Sequence, residues 1–189
     1  MRIISGTHRG RRILPDKRFK ARPTTDFAKE NLFNLLHHLV GIEGTCVLDL
    51  FSGTGGISYE FASRGASKII AVESDYHHFA FIKHTAIDLG FTAIKVYKTD
   101  AFFACTKLKD TPFDIIFADP PYDLPRLLDL PGAIFDNHLL APGGIVIIEH
   151  PGSVDFTTDP RFSSHRQYGS VNFSFFQEKI PKNSDTRAT

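Results

Sequence analysis

Apolar side chains recur along this chain with two alternating periods. Ala28, Leu32, Leu35, Leu36 and Leu39 fall three or four residues apart, the spacing of one helix face, and predict an amphipathic helix over residues 26–40. Pro23 disfavours helix at the residue before it, Thr24, Thr25 or Asp26 can cap the helix, and Gly41 and Gly44 end it. Beyond that point short apolar runs alternate with helical segments. Residues 47–51, 68–73, 93–98, 113–118 and 144–149 predict strands. Residues 57–64, 76–89, 101–107 and 125–138 predict helices, the last interrupted at Pro131-Gly132. The strand runs are nearly continuous in apolar residues, as in parallel strands covered on both faces. Strand and helix in alternation predict a doubly wound α/β sheet. The pattern then changes: residues 161–168 and 171–180, around Gly169-Ser170, predict an antiparallel hairpin closing the sheet. Residues 181–189 are polar and are expected to be a disordered tail.

Composition narrows the class. A chain of 189 residues with 42% hydrophobic and 23% charged positions can bury the core of one domain and is not broadly disordered. No stretch approaches the roughly 20 apolar residues of a membrane span. Arg9 to Arg12 stand where the apolar centre of a signal peptide would be, so a cytoplasmic protein is expected. Cys46 and Cys105 fit no metal spacing and read as reduced thiols. The pairs His37-His38 and His77-His78 are adjacent and share no helix face, so no metal is expected.

A net charge of +1 hides an asymmetry. Residues 1–22 carry eight Lys and Arg against the single acid Asp16, which leaves +7 there and −6 over the rest. Glycines at 6 and 10 between apolar ends make this arm read as a short β-hairpin rather than a solvated tail, and its charge suits phosphate. The expected organisation is therefore a basic arm over 1–22, one catalytic domain over 23–180 and the tail.

Three motifs carry chemistry. In Val47-Leu48-Asp49-Leu50-Phe51-Ser52-Gly53-Thr54-Gly55-Gly56 an acid ends a strand and a glycine turn leads into a helix, the place where open α/β sheets bind ligands. A dinucleotide fingerprint wants a third glycine where Ser58 stands, which argues against a nicotinamide oxidoreductase. Glu73, at the end of the next strand, can accept the two ribose hydroxyls of a nucleoside cofactor. Asp100 ends the third strand and can hold an adenine amino group, with the Ala101 N–H nearby; alternatively it is a helix cap. The most specific motif is Asp119-Pro120-Pro121-Tyr122, after the fourth strand. An exocyclic amine on a base is a poor nucleophile because its lone pair is conjugated with the ring. A carboxylate at Asp119 and the carbonyl of Pro120 can accept its two N–H bonds, aim the lone pair and favour the positive charge that develops on nitrogen. The prolines stiffen the loop and remove competing donors, and Tyr122 offers a face on which the base can stack.

The Asp-Pro-Pro-Tyr loop and the Asp49/Gly53/Gly55 turn resemble the amino-methyltransferases of the class I S-adenosylmethionine-dependent superfamily. Met1 to Gly6 with Arg9-Gly10-Arg11, Arg22-Pro23-Thr24-Thr25 with Lys29-Glu30 and Leu32-Phe33-Asn34, Arg64-Gly65-Ala66, and Arg166-Gln167-Tyr168-Gly169 are similar to the bacterial 16S ribosomal RNA guanine-N2 methyltransferases of the RsmD type. The similarity runs from residue 1 to about 180. That family commonly has two glycines where this chain has Ser5-Gly6. The resemblance implies a Rossmann-like, mostly parallel seven-stranded sheet with a C-terminal antiparallel hairpin. It further implies a cofactor site of Asp49, Phe51, Gly53, Gly55, Glu73, Asp100 and Ala101, and a catalytic loop of Asp119, Pro120, Pro121 and Tyr122. S-adenosylmethionine is the implied cofactor. The implied partner is 16S rRNA, alone or within the small ribosomal subunit or an assembly intermediate, gripped by Arg9, Arg11, Arg12 and Arg22. A monomer is expected.

Three rival readings differ in what they demand. Adenine-N6 methylation of DNA or RNA would use the same loop. Glutamine N5 methylation of a protein usually has Asn where Asp119 stands. A non-enzymatic RNA-binding scaffold would show damaged acids, yet Asp49, Glu73 and Asp119 are all present.

Overall fold

The computed structural model describes residues 1–15 and 25–178. Its elements run α1 (Asp26–Leu39), β1 (Cys46–Leu50), α2 (Gly56–Ser63), β2 (Lys68–Glu73), α3 (Tyr76–Asp88), β3 (Ile94–Lys98), α4 (Ala101–Lys107), β4 (Phe113–Ala118), α5 (Leu130–Phe135), β5 (Leu140–His150), β6 (Phe162–Tyr168) and β7 (Val171–Phe176). The strands form one seven-stranded sheet in the order β3-β2-β1-β4-β5-β7-β6. The first five are parallel, and β7 joins β5 and β6 antiparallel. The doubly wound sheet and its reversed final hairpin are thus as expected.

Two apolar layers sandwich the sheet. On one face Leu32, Phe33 and Leu36 of α1, Phe61 of α2 and Ile82 of α3 pack on Val47, Ala71, Phe117, Ile147 and Phe173. On the other, Ala104 of α4 and Ile134 of α5 pack on Leu48, Ile116 and Ile148. Successive strand residues point to opposite faces, so nearly every position of β1, β2, β4, β7 and the second half of β5 is buried, which explains why those runs carry little polar alternation, whereas the outer strands β3 and β6 are largely exposed. Phenylalanine fills much of this space, as where the Phe33 and Phe61 rings meet at 4.6 Å.

Two expectations are corrected. Residues 125–138 do not form a helix broken at Pro131-Gly132: a 3-10 turn at Leu127–Asp129 leads into α5, and Pro131 sits in the first turn of that helix. A first-turn proline lacks only a donor that has no intrahelical partner there. Strand β5 begins at Leu140 rather than 144, because a bulge sets Phe113 against Leu140 and Ile115 against Ile145, so the Pro142-Gly143 stretch is absorbed into the strand.

The arm is a hairpin with one antiparallel bridge, Arg2 to Arg12, flanked by backbone bonds from Ile3 N to Arg11 O and Ile13 N to Met1 O, each 3.0 Å. Its apolar ends Ile3 and Ile13 are buried in the first core layer. Gly6 has φ +83°, and a Cβ there would stand 1.8 Å from the Ser63 carbonyl, so only glycine fits. The neighbouring Ser5 needs no such freedom; its N–H donates to Glu60 at 3.0 Å. The remainder of the arm, with Arg22, and the tail from 181 lie outside the described residues.

Candidate active site

The chain leaves β1 in one direction and returns at β4 beside it, so the carboxyl ends of β1 and β4 flank the switch point of the sheet, where such folds hold ligands. Asp49 stands on β1, and Asp119 follows β4 at once. Two residues along a strand share a face, and Val47, Ala71, Phe117 and Ile147 all belong to the α1–α3 layer. Asp49, Glu73, Asp119 and Glu149, each two residues further on, therefore line up on that same face at the carboxyl edge.

Their surroundings differ. Asp49 is buried; its carboxylate accepts the Ser58 hydroxyl, and Ser52 donates to its carbonyl at 2.8 Å. Burial pushes its pKa up to about 7, against the lowering effect of the Ser58 and Ser52 hydroxyls and with a smaller push from Glu73. Asp119 is raised well above the usual carboxylate range, first by burial, then by the charges of Glu149 and Asp49. Glu73 is buried and divides its oxygens: Oε2 accepts Gly53 N and Oε1 accepts Asp75 N, both at 2.8 Å. It thereby ties the glycine loop to the start of α3 and retains further lone pairs for a ligand. Asp100 is exposed and caps α4 by accepting Phe103 N at 3.0 Å, while Ala101 begins that helix.

The loop after β1 holds a rare conformation. Phe51 has φ +62°, a left-handed geometry costly for a bulky side chain, followed by Gly53 at +54° and Gly55 at +82°. A Cβ on Gly55 would also stand 2.6 Å from the Tyr59 ring. Such strain persists when neighbours dictate it: Ser52 N donates to Val72 O at 2.9 Å, and Gly55 N to Ser52 O at 2.8 Å. After β4, Leu124 N donates to Pro121 O at 2.9 Å and closes the Asp-Pro-Pro-Tyr loop. Pro120 is buried, whereas Tyr122 is 52% exposed and its hydroxyl donates to Glu149 at 3.3 Å.

Glu149 and Ser58 escaped the sequence reading. Glu149 carried the same signal as the other acids, an acid at the end of an apolar run. In the sequence Ser58 reads only as a missing glycine, whereas its hydroxyl is the partner of Asp49. Among the described residues, no Lys or Arg forms an ion pair with Asp49 or Asp119. Buried carboxylates that repel one another suit a cationic ligand, which the sulfonium and ammonium of S-adenosylmethionine provide.

Comparison with known proteins agrees. Residues 1–177 match the family model described as conserved hypothetical protein 95. The chain is 31% identical over 189 residues to ribosomal RNA small subunit methyltransferase D of Escherichia coli strain K12, covering 98% of this chain and 93% of that one. The chain belongs to this family. YlbH of Bacillus subtilis is 35% identical over 186 residues, 95% of this chain and all of that protein. The solved structure of yhhF from Escherichia coli superposes with a TM-score of 0.83 at 28% identity, covering 95% of this chain and 98% of that one. As a member of the methyltransferase D family, the chain is a class I methyltransferase. Among the described residues no cluster of ligating side chains suits a metal ion, and no helix is long and apolar enough to cross a membrane.

Proposed function

We propose that this protein transfers a methyl group from S-adenosylmethionine to the exocyclic N2 amine of a guanine in 16S rRNA. The observation that carries this reading is the alignment of Asp49, Glu73, Asp119 and Glu149 on one face at the switch point, with the Asp-Pro-Pro-Tyr loop closing it. When bound, the cofactor supplies an electrophilic methyl group on positively charged sulfur. Asp49, Glu73, Asp100 and the backbone from Phe51 to Gly55 are the groups that would hold it, with Ala101 beside them. Asp119 and the Pro120 carbonyl accept the N–H bonds of the target amine and direct its lone pair. Both favour positive charge growing on that nitrogen, so they lower the barrier electrostatically. Tyr122 stacks on the base, and positioning contributes much of the remaining acceleration. Arg9, Arg11 and Arg12 grip RNA phosphates while the base is extruded, with Arg22 of the undescribed segment assigned beside them. The protein acts in the cytoplasm as a monomer, on 16S rRNA free, in an assembly intermediate or in the small subunit.

The test is modification mapping of 16S rRNA by mass spectrometry, with and without the protein, together with an Asp119→Ala variant. N2-methylguanine is expected to depend on the protein. The variant is expected to lose transfer while calorimetry shows nearly unchanged affinity for S-adenosylhomocysteine. N6-methyladenine in place of N2-methylguanine, or equal loss of transfer and cofactor affinity, overturns the assignment.

A further inference from the structure

The Arg166-Gln167-Tyr168-Gly169 stretch has no role in the site described above, yet the sheet register sets it in the same row as Glu149. Glu149 of β5 pairs with Phe173 of β7, and Phe173 pairs with Arg166 of β6. The three residues form one row across the sheet, so Arg166 lies two strand spacings, about 10 Å, from Glu149, the residue that accepts the Tyr122 hydroxyl. Because β7 runs antiparallel, the turn between β6 and β7 comes out at the carboxyl edge, on the catalytic side. Tyr168, two residues beyond Arg166, packs against the same core layer as α1.

The first turn of α1 closes over this edge. Phe27 is 62% exposed although it is a large apolar side chain, and its ring meets Tyr168 edge-on, 6.4 Å between centroids and 83° between planes. Tyr168 is in turn backed by Phe173 at 6.1 Å. Arg166 is exposed, and its guanidinium is steadied by a 2.9 Å bond to the His165 carbonyl. Beside Phe27, Asp26 pairs with Arg2 of the basic arm at 3.4 Å. One band of surface therefore runs from the arm, across Phe27 and Tyr168, to Arg166, which shares a row of the sheet with Glu149, the partner of Tyr122.

We propose that this band is a second RNA contact that holds the nucleotide next to the target, its base stacked on Phe27 and its phosphate on Arg166. The inference rests on the RNA methyltransferase reading. An exposed ring held edge-on by a second ring offers a firm flat face, and a guanidinium on the same rim is what a base with its phosphate requires. Extruding one base leaves its neighbour unstacked on that side, and Phe27 replaces the lost contact.

The experiment measures kcat and KM for 16S rRNA in wild type, Phe27→Ala, Phe27→Tyr and Arg166→Glu, with S-adenosylhomocysteine affinity by calorimetry and oligomeric state by sedimentation. Phe27→Ala is expected to raise the RNA KM on the order of tenfold, the value of one stacked base, with cofactor affinity unmoved and Phe27→Tyr close to wild type. Arg166→Glu is expected to raise KM and to flatten its salt dependence. With wild type active, unchanged KM in Phe27→Ala and Arg166→Glu overturns the proposal, as does a wild-type dimer that Phe27→Ala splits, which would assign the patch to a second copy. A wild-type chain that transfers nothing to RNA refutes the functional reading itself, and the second contact with it.

Discussion

At the scale of the residue, Asp49 shows what burying a carboxylate costs the fold. Its pKa rises to about 7, with burial as the main cause, whereas an unfolded chain releases that proton near 4. Between those values the folded protein binds more protons than the unfolded one, so stability falls as pH rises from about 4 to about 7 and then levels off. The gap is worth on the order of 4 kcal/mol for a group so enclosed. Asp119, also raised, adds a decline of the same sign. Asp49→Asn is expected to make the decline shallower by up to that amount, measured as urea unfolding free energy at pH 4.5 and pH 8. A variant that declines as steeply as wild type rules out Asp49 as the source. The same proton links to ligand binding: a cation favours the charged carboxylate, so S-adenosylmethionine affinity in calorimetry is expected to increase as pH rises through 7 and to change less in Asp49→Asn.

Elements were legible where a single physical preference determined them. The bounds of β2, α4 and β4 coincide with the expected ones because each is an apolar run or helical face cut off by turn residues. The doubly wound sheet and its reversed hairpin followed from strand–helix alternation and the change of pattern near the end, whereas the strand order was set by tertiary packing that no local run encodes. What stayed hidden depends on tertiary partners. Glu60 of α2 reads as an ordinary polar helix residue, yet it is fully buried. Its carboxylate accepts Ile4 N at 2.8 Å and Ser5 N at 3.0 Å from the arm, and pairs with Arg64 at 2.8 Å and Lys29 at 3.4 Å. Lys29 in turn donates to the Arg2 carbonyl, and Ser63 receives the His8 N–H at 2.9 Å. No local pattern announces a bond between residues more than fifty positions apart. Helix α2 thus carries the glycine loop at one end and the arm along its side, so the two surfaces proposed to bind cofactor and RNA are built on one element. Removing the shared acid leaves Lys29 buried beside a void. Glu60→Ala is expected to cost about 3–5 kcal/mol in urea unfolding and to make residues 1–15 cleavable by trypsin before the domain unfolds. An unchanged midpoint and an uncut arm would show that the clamp carries no weight.

For the whole molecule, charge placement bears on how RNA would approach the proposed site. The arm holds +7 and the remaining chain −6. A polyanion is therefore attracted at one end and repelled elsewhere, which orients the encounter without a large net charge. Residues 1–13 of the arm are fixed by Glu60, Ser63 and the buried Ile3 and Ile13, so Arg2, Arg9, Arg11 and Arg12 are carried by a rigid support rather than a free tail. Each phosphate neutralised by such a group contributes roughly 0.7–0.9 to the slope of log affinity against log salt. Arg9, Arg11 and Arg12 are all on the arm's exposed side. Reversing the three charges is expected to weaken rRNA binding at 50 mM salt far more than at 300 mM and to reduce that slope by about two to three. Cofactor affinity should stay where it was, because the acids proposed to hold it lie on β1, β2 and the start of α4. If the slope is unchanged, the arm's charge is solvated surface, and orientation must come from the rim formed by Phe27, Tyr168 and Arg166 instead.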